Sequence, residues 1–191
     1  MSQWMAFGIL IVVLLYGVSV YNTLVQVKNA VSKAWANIDV LLKQRHDEIP
    51  KLVEVCRQYQ KFEQSTLQSV IQARSAVQQA GASGNMVALG QAEGALRAGV
   101  GRLFAVAESY PELQANSNFM QLQGRISSLE NAIADRREFY NESVNINNVQ
   151  MESFPSNLIA SRFGFKAREL LNFDAAELAD VNLRQLFDPA G

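Results

Sequence analysis

Residues 1–27 contain no charged side chain; the first is Lys28. A stretch of that length and character must be hidden from water, either in a protein core or in a bilayer. From Trp4 to Val20 it is continuously apolar apart from Ser19, and with Tyr21 and the uncharged residues that follow it reaches about 20 residues, enough to cross a hydrocarbon core of ~30 Å as a helix. Trp4 stands at one end and Tyr16 and Tyr21 towards the other, where aromatic rings favour the headgroup region. Residues 1–22 are therefore read as a transmembrane anchor.

The competing readings are a secretory leader, a lipoprotein leader and a buried core helix. A secretory leader has a basic stretch before the apolar run and small residues at a cleavage site after it. Here no Lys or Arg precedes the run, and Val20-Tyr-Asn-Thr-Leu24 is a poor cleavage sequence. A lipoprotein leader needs a cysteine at the cleavage site, and the only cysteine is Cys56. Lys28, Lys33, Lys43 and Arg45 follow the run, and flanking positive charge is retained on the cytoplasmic side. The expectation is a single-pass membrane protein with the N-terminus outside and the body in the cytoplasm. A lone thiol suits that reducing compartment.

One His and one Cys exclude a zinc finger, an iron–sulfur cluster, an intrachain disulfide and a Cys–Cys redox pair. The 17 Lys+Arg and 18 Asp+Glu nearly cancel, so there is no bulk electrostatic reason to bind nucleic acid. At 191 residues the chain suits one domain, and the body is long enough to bury its own core.

Beyond the anchor, apolar residues recur at alternating three- and four-residue steps. Leu24, Val27, Val31, Ala34, Ile38 and Leu41 continue the register out of the apolar run, with Trp35 and Leu42 broadening the face. The spacing predicts one helix from about Gln3 to about Arg45, with a break at His46–Pro50. A second helix is predicted over about Glu48–Gln79, led by Asp47 or Glu48 as N-terminal acids, and ended by the Ala80–Gly84 turn. A third, about Asn85–Ser109, carries Gly90, Gly94, Ala98, Gly101 and Ala105 as a small-residue face, read as close helix–helix packing. After the connector Tyr110–Asn116, a fourth helix runs from about Ser117 to Glu152, with Phe119, Leu122, Ile126, Leu129, Ile133, Arg136 and Tyr140 as its stripe. Phe154–Asn157 ends the bundle, and Leu158–Phe165 is predicted as a short helix whose Phe163 and Phe165 fold back on the bundle. The predicted fold is all-α: a transmembrane helix continuing into a long antiparallel, coiled-coil-like bundle over residues 23–165. An amphipathic tail over 166–191 completes it, with an apolar face of Leu178, Val181, Leu183, Leu186 and Phe187.

Several stretches resemble the LemA family of mostly bacterial membrane proteins. They are Tyr21–Trp35 (YNTLVQVKNAVSKAW), Ile38–Val53 (IDVLLKQRHDEIPKLV), Glu108–Asn116 (ESYPELQAN) with Phe119, Glu130–Asn141 (ENAIADRREFYN) and Ser153–Ala160 (SFPSNLIA). The resemblance implies a single N-terminal span through the bacterial cytoplasmic (inner) membrane with the N-terminus outside, a cytoplasmic antiparallel helical bundle, and no established enzymatic activity. Two departures stand out. Where the family tends to repeat the Tyr-Asn of Tyr140-Asn141, this chain has Asn147-Asn148, and its tail beyond Phe165 is unlike the family's Pro-containing ending.

The polar residues of these stretches are the site candidates: Asp39, Arg45, Asp47, Tyr110, Pro111, Arg136, Arg137, Tyr140 and Asn141. Asp39, Arg45 and Asp47 are placed to meet Arg136 or Arg137 across helices and pin the register by buried ion pairs. Arg136, at an otherwise apolar position, is expected to find a carboxylate. The alternative is a partner or ligand site at one end of the bundle, near Asp47-Glu48 and Tyr110-Pro111. Catalytic patterns are wanting. His46 is not three residues after a Glu, so the di-metal bundle motif fails, and His46 is read as a solvated residue at a helix break. No nucleophile elbow, phosphate-binding loop or dinucleotide fingerprint is present. Cys56 lies on the apolar stripe and reads as a buried, inert thiol. No metal, cofactor or catalytic residue is expected. The function read from sequence is a membrane-anchored helical scaffold that self-associates, with the lipid bilayer, further copies of itself and another membrane protein as partners. The alternative is a regulatory or signal-relay module for a membrane enzyme.

Overall fold

The computed structural model describes residues 2–59 and 62–173, and every regular element among them is an α-helix. In order these are α1 (Ser2–Arg57), α2 (Gln64–Ser83), α3 (Met86–Ala107), α4 (Pro111–Gln114), α5 (Ser117–Glu152) and α6 (Ser156–Phe163). They form two compact units. One comprises residues 2–47 with Ile126–Leu170, the other Glu48–Arg125 with residues 171–173. The predicted apolar tail face, Leu178 to Phe187, lies outside the described residues.

In the first unit α1 and α5 run antiparallel. Trp35 meets the Tyr140 ring edge-on at 5.7 Å, and ten residues further along α1 Arg45 meets Glu130, ten residues back along α5. The contact faces come from two rows with a seven-residue period. On α1 the row is Leu24, Val31, Ile38 and Arg45; on α5 it is Ile126, Ile133, Tyr140 and Asn147, and all eight are buried. Residues 3–19 of α1 are exposed except for the half-buried Gly17. Near the end of that stretch Val20, Leu24 and Ala160 form a small core, with Met151, Ile159 and Phe165 packed against it. Gly164 ends α6 in the left-handed conformation (φ 71°), which suits a residue without Cβ. It turns the chain so that Phe165 and Phe163 stand edge-on to Tyr21, at 5.8 and 4.9 Å. These two rings fold back onto α1, a helix of the bundle, as the sequence indicated.

In the second unit α2 and α3 form a hairpin around Gly84 (φ 67°), and Asn85 caps α3 by accepting a hydrogen bond from the Ala88 amide at 2.9 Å. A Cβ at Gly99 would still meet Val70 at ordinary van der Waals distance, so that position does not require a glycine. Gly90 serves a different contact from the expected helix crossing: a Cβ there would run into the backbone carbonyl of Asn172. The small-residue face thus admits the segment after Leu170, with Leu171 and Phe173 buried. The α3–α5 connector is fastened by aromatics. Phe62 packs on Tyr110 at 5.2 Å, and the Tyr59 hydroxyl donates to the Glu112 carbonyl while accepting from the Asn116 amide. Asn116 in turn caps α5, accepting from the amides of Asn118 and Phe119.

The helix boundary between the first two predicted helices is corrected. α1 passes through Pro50 and ends at Arg57, and the next helix, α2, starts at Gln64. Proline removes one intrahelical hydrogen bond and crowds the preceding turn. The buried row Ile49, Leu52, Val53 and Cys56 continues the register set by Ile38, Leu42 and Arg45, and burial of about 1.5–3 kcal/mol per large apolar side chain offsets that cost. His46 is accordingly half-buried within a helix, not solvated at a break. The boundary between α1 and α2 has no Gly or Pro to announce it; Phe62 and Tyr59 hold it through their contacts.

Candidate functional site

Two polar constellations lie in the first unit. The first is the Arg45–Glu130 pair. Arg45 occupies a heptad position that Val31 and Ile38 fill in the two preceding heptads, and it is only 1% exposed. Its Nη1 donates to Glu130 Oε1 at 2.6 Å. A guanidinium so placed is tolerable only with a carboxylate beside it. The partner differs from the expectation, which set Asp39, Arg45 and Asp47 against Arg136 or Arg137: Asp39 and Asp47 are exposed, and so is Arg136. Helix geometry gives the reason. Seven residues fall about 20° short of two full turns, so the inward row that starts at Leu122 is taken over by Glu130, Arg137 and Val144, and Arg136 rotates out. Arg137 and Asn141 are half-buried.

The second constellation is a groove of about 270 Å³ beside the end of the apolar stretch. Tyr21, Val25 and Lys28 form one wall, on one face of α1. Phe163, Phe165, Lys166 and Arg168 form the other, with Asn147 between. The second wall is held by its main chain. Asn148 donates from Nδ2 to the Arg168 carbonyl and accepts the Arg168 amide at Oδ1, both at 2.9 Å. The buried Tyr140 hydroxyl donates to the Glu169 carbonyl at 3.1 Å. Burial pushes the Tyr140 hydroxyl above its ordinary pKa, with Arg168 opposing and Glu169 adding to the shift, so it stays a proton donor. Residues 166–170, read from sequence as the start of a separate tail, are thus fastened to α5.

In the second unit, Glu48 is buried within α1 and accepts from Arg125 at 2.8 Å and Lys51 at 3.2 Å, in place of its expected role as an N-terminal acid. Tyr110 is half-buried against Phe62, and Pro111 is exposed at the first turn of α4. Cys56 is buried and its thiol is pushed up to about 12 by desolvation. On α2, hydrogen bonds from Ser65 and Thr66 hold the exposed Glu63 carboxyl below its usual range. Among the described residues no group of three or more His, Cys, Asp or Glu side chains is placed to hold a metal ion.

Glu130 and Asn148 have no role in the sequence reading, which does not foresee the burial of Glu48 and Glu93. Glu130 had a signal: it lies four residues after Ile126 and three before Ile133, on the stripe itself. Glu93 is buried on α3 beside Gly94, within the run of small residues. Asn148 had no signal, because its partner is backbone.

An exposed apolar helix long enough to cross a membrane, joined to an all-helical body, defines a membrane-associated helical protein. The chain belongs to the LemA family, which it matches over residues 34–184. It is 25% identical over 190 residues to the magnetosome proteins MamQ 1 and MamQ 2 of Paramagnetospirillum magneticum, an alignment covering 87% of this chain and 70% of each relative. It is 29% identical over 96 residues to the magnetosome protein MamQ of Magnetospirillum gryphiswaldense, covering 50% of this chain and 35% of that one.

Proposed function

We propose that the protein is a non-enzymatic, membrane-anchored helical scaffold that self-associates and organises other membrane proteins or the membrane surface. The observation that carries this reading is the exposed apolar stretch of α1, which continues without a break into the α1–α5 pair. The positive-inside rule supports a single pass through the bacterial inner membrane, with the N-terminus outside and the helical body in the cytoplasm. Self-association is supported by the outer face of α5. Phe139, Ile146 and Val149 recur there at seven- and three-residue steps and are all exposed, opposite the row that packs on α1. A further row of apolar contacts of this kind is what coiled-coil helices use to recruit another helix.

Crosslinking the full chain in native membranes tests the proposal. Dimers or larger species are expected, and they should fall several-fold in a Phe139→Glu/Ile146→Glu variant. Monomer alone at every reagent concentration would sink self-association. The continuity of α1 also favours a second reading, a regulatory module in which this helix carries a signal from the membrane to a bound enzyme. The exposed α5 row favours the scaffold over it, since a relay has no need of an apolar outer face.

A further inference from the structure

We propose that the groove between α1 and residues 163–168 binds the headgroup of an anionic phospholipid, with α6 lying in the membrane surface beside it. This rests on reading α1 as a membrane anchor.

Depth is the first argument. Tyr21, the aromatic at the end of the apolar run, lines the groove, and Lys28 lies seven residues further along the same helix, about 10 Å at 1.5 Å per residue. The polar region on each side of a bilayer is about 5–8 Å thick, and a lysine side chain can reach back towards it. The groove therefore opens at headgroup level.

Charge is the second. Lys28, Lys166 and Arg168 all line the groove and all are exposed, and its lining includes no carboxylate. This cluster of cations stands out in a chain whose charges as a whole nearly cancel. A phosphodiester suits it: the guanidinium offers paired donors to phosphate oxygens, and the two ammonium groups add point charges from opposite walls.

The third argument separates a lipid from a free anion. α6 turns Ala160 and Ile159 towards Val20 and Leu24. Leu158, turned away from them, is 60% exposed, Phe163 at the end of the helix is 63% exposed, and Phe154 just before it is 80% exposed. Phe163 nonetheless touches Tyr21, which fixes these apolar groups at the level where the span ends. Stable attachment to a membrane surface takes two signals, apolar insertion and basic charge, and both occur here in one short stretch of chain. An inorganic anion would use the cations and leave the exposed rings unexplained.

The full-length chain, reconstituted in bilayers of phosphatidylcholine mixed with phosphatidylglycerol, allows the test by native mass spectrometry after gentle detergent extraction. The wild type is expected to retain phosphatidylglycerol in preference to phosphatidylcholine. K28Q/K166Q/R168Q should retain at least about tenfold less, whereas the charge-conserving K28R/K166R/R168K should retain it as the wild type does. F154Q/L158Q should lose a few-fold. All these side chains are exposed, and circular dichroism checks that each variant keeps its helix content. Equal retention by the wild type and K28Q/K166Q/R168Q would overturn the proposal, as would displacement of the lipid by millimolar inorganic phosphate. Alkaline carbonate washing separates the two readings. A chain washed off membranes loses the anchor reading, while one that resists washing but shows no lipid preference loses the groove alone.

Discussion

The α1–α5 pair and the α2–α3 hairpin are both antiparallel helix pairs, yet different features place what packs against each. Along α1 and α5 the rows are long and repetitive: Leu24, Val31 and Ile38 on one side, Ile126, Ile133 and Tyr140 on the other. Such rows would pack almost as well after sliding by seven residues. A charged pair in the row, Arg45 with Glu130, removes that degeneracy, because any slip leaves a buried guanidinium without its carboxylate. In the hairpin the steps are short and space decides. Gly90 seats the backbone of Asn172, where a Cβ would collide with the carbonyl. Repetition calls for a polar marker, whereas close approach marks its own place.

The largest effect should come from breaking that marker. Glu130→Leu is expected to cost about 3–5 kcal/mol, since it strands a buried charge, measured by denaturant unfolding of the detergent-solubilised chain. Arg45→Leu/Glu130→Leu together should regain most of it, while more than one crosslinked α1–α5 register appears. If the single and double variants are equally destabilised, the pair is not what sets the register. In the hairpin, Gly90→Val should cost about 1–3 kcal/mol by overpacking against Asn172. Gly101→Ala, on the same helix with open space around it, should gain up to about 1 kcal/mol; matching losses at both positions would refute the account of Gly90.

Cys56 probes the second unit by pH. Its folded pKa is raised to about 12, so above the ordinary thiol range the unfolded chain has lost a proton that the folded chain keeps. Stability is then complete below about pH 8.5 and falls by about 1.4 kcal/mol per pH unit above it. Comparing the alkaline stability of the wild type with that of Cys56→Ala isolates this slope, and parallel curves would show that the thiol is not desolvated. It is the smallest of these effects near neutrality, where it vanishes.

The helical architecture and both ends of α5 were legible because periodicity and capping residues are local properties. Asn85 and Asn116 cap where Asn residues are expected to, and the Ser117–Glu152 span agrees with the pattern. What failed was whatever depends on the next layer out. Pro50 looks like a stop until the burial of Ile49, Leu52 and Cys56 is weighed against it. Arg136 looks inward on a strict heptad and outward on a helix of 3.6 residues per turn. The groove was invisible because Lys28 and Arg168 are 140 residues apart in sequence, and the residue that fastens its second wall, Asn148, recognises only an amide and a carbonyl.

That last contact has an evolutionary corollary. Asn148 grips residue 168 by main-chain atoms alone, as a sheet edge grips a strand, so it places a position without prescribing what occupies it. The side chains at 166 and 168 can be exchanged, reversed in sign or trimmed while the wall they stand on keeps its place. A relative that lives in a bilayer of different composition could retune this surface by substitution there, leaving the rest of the fold untouched.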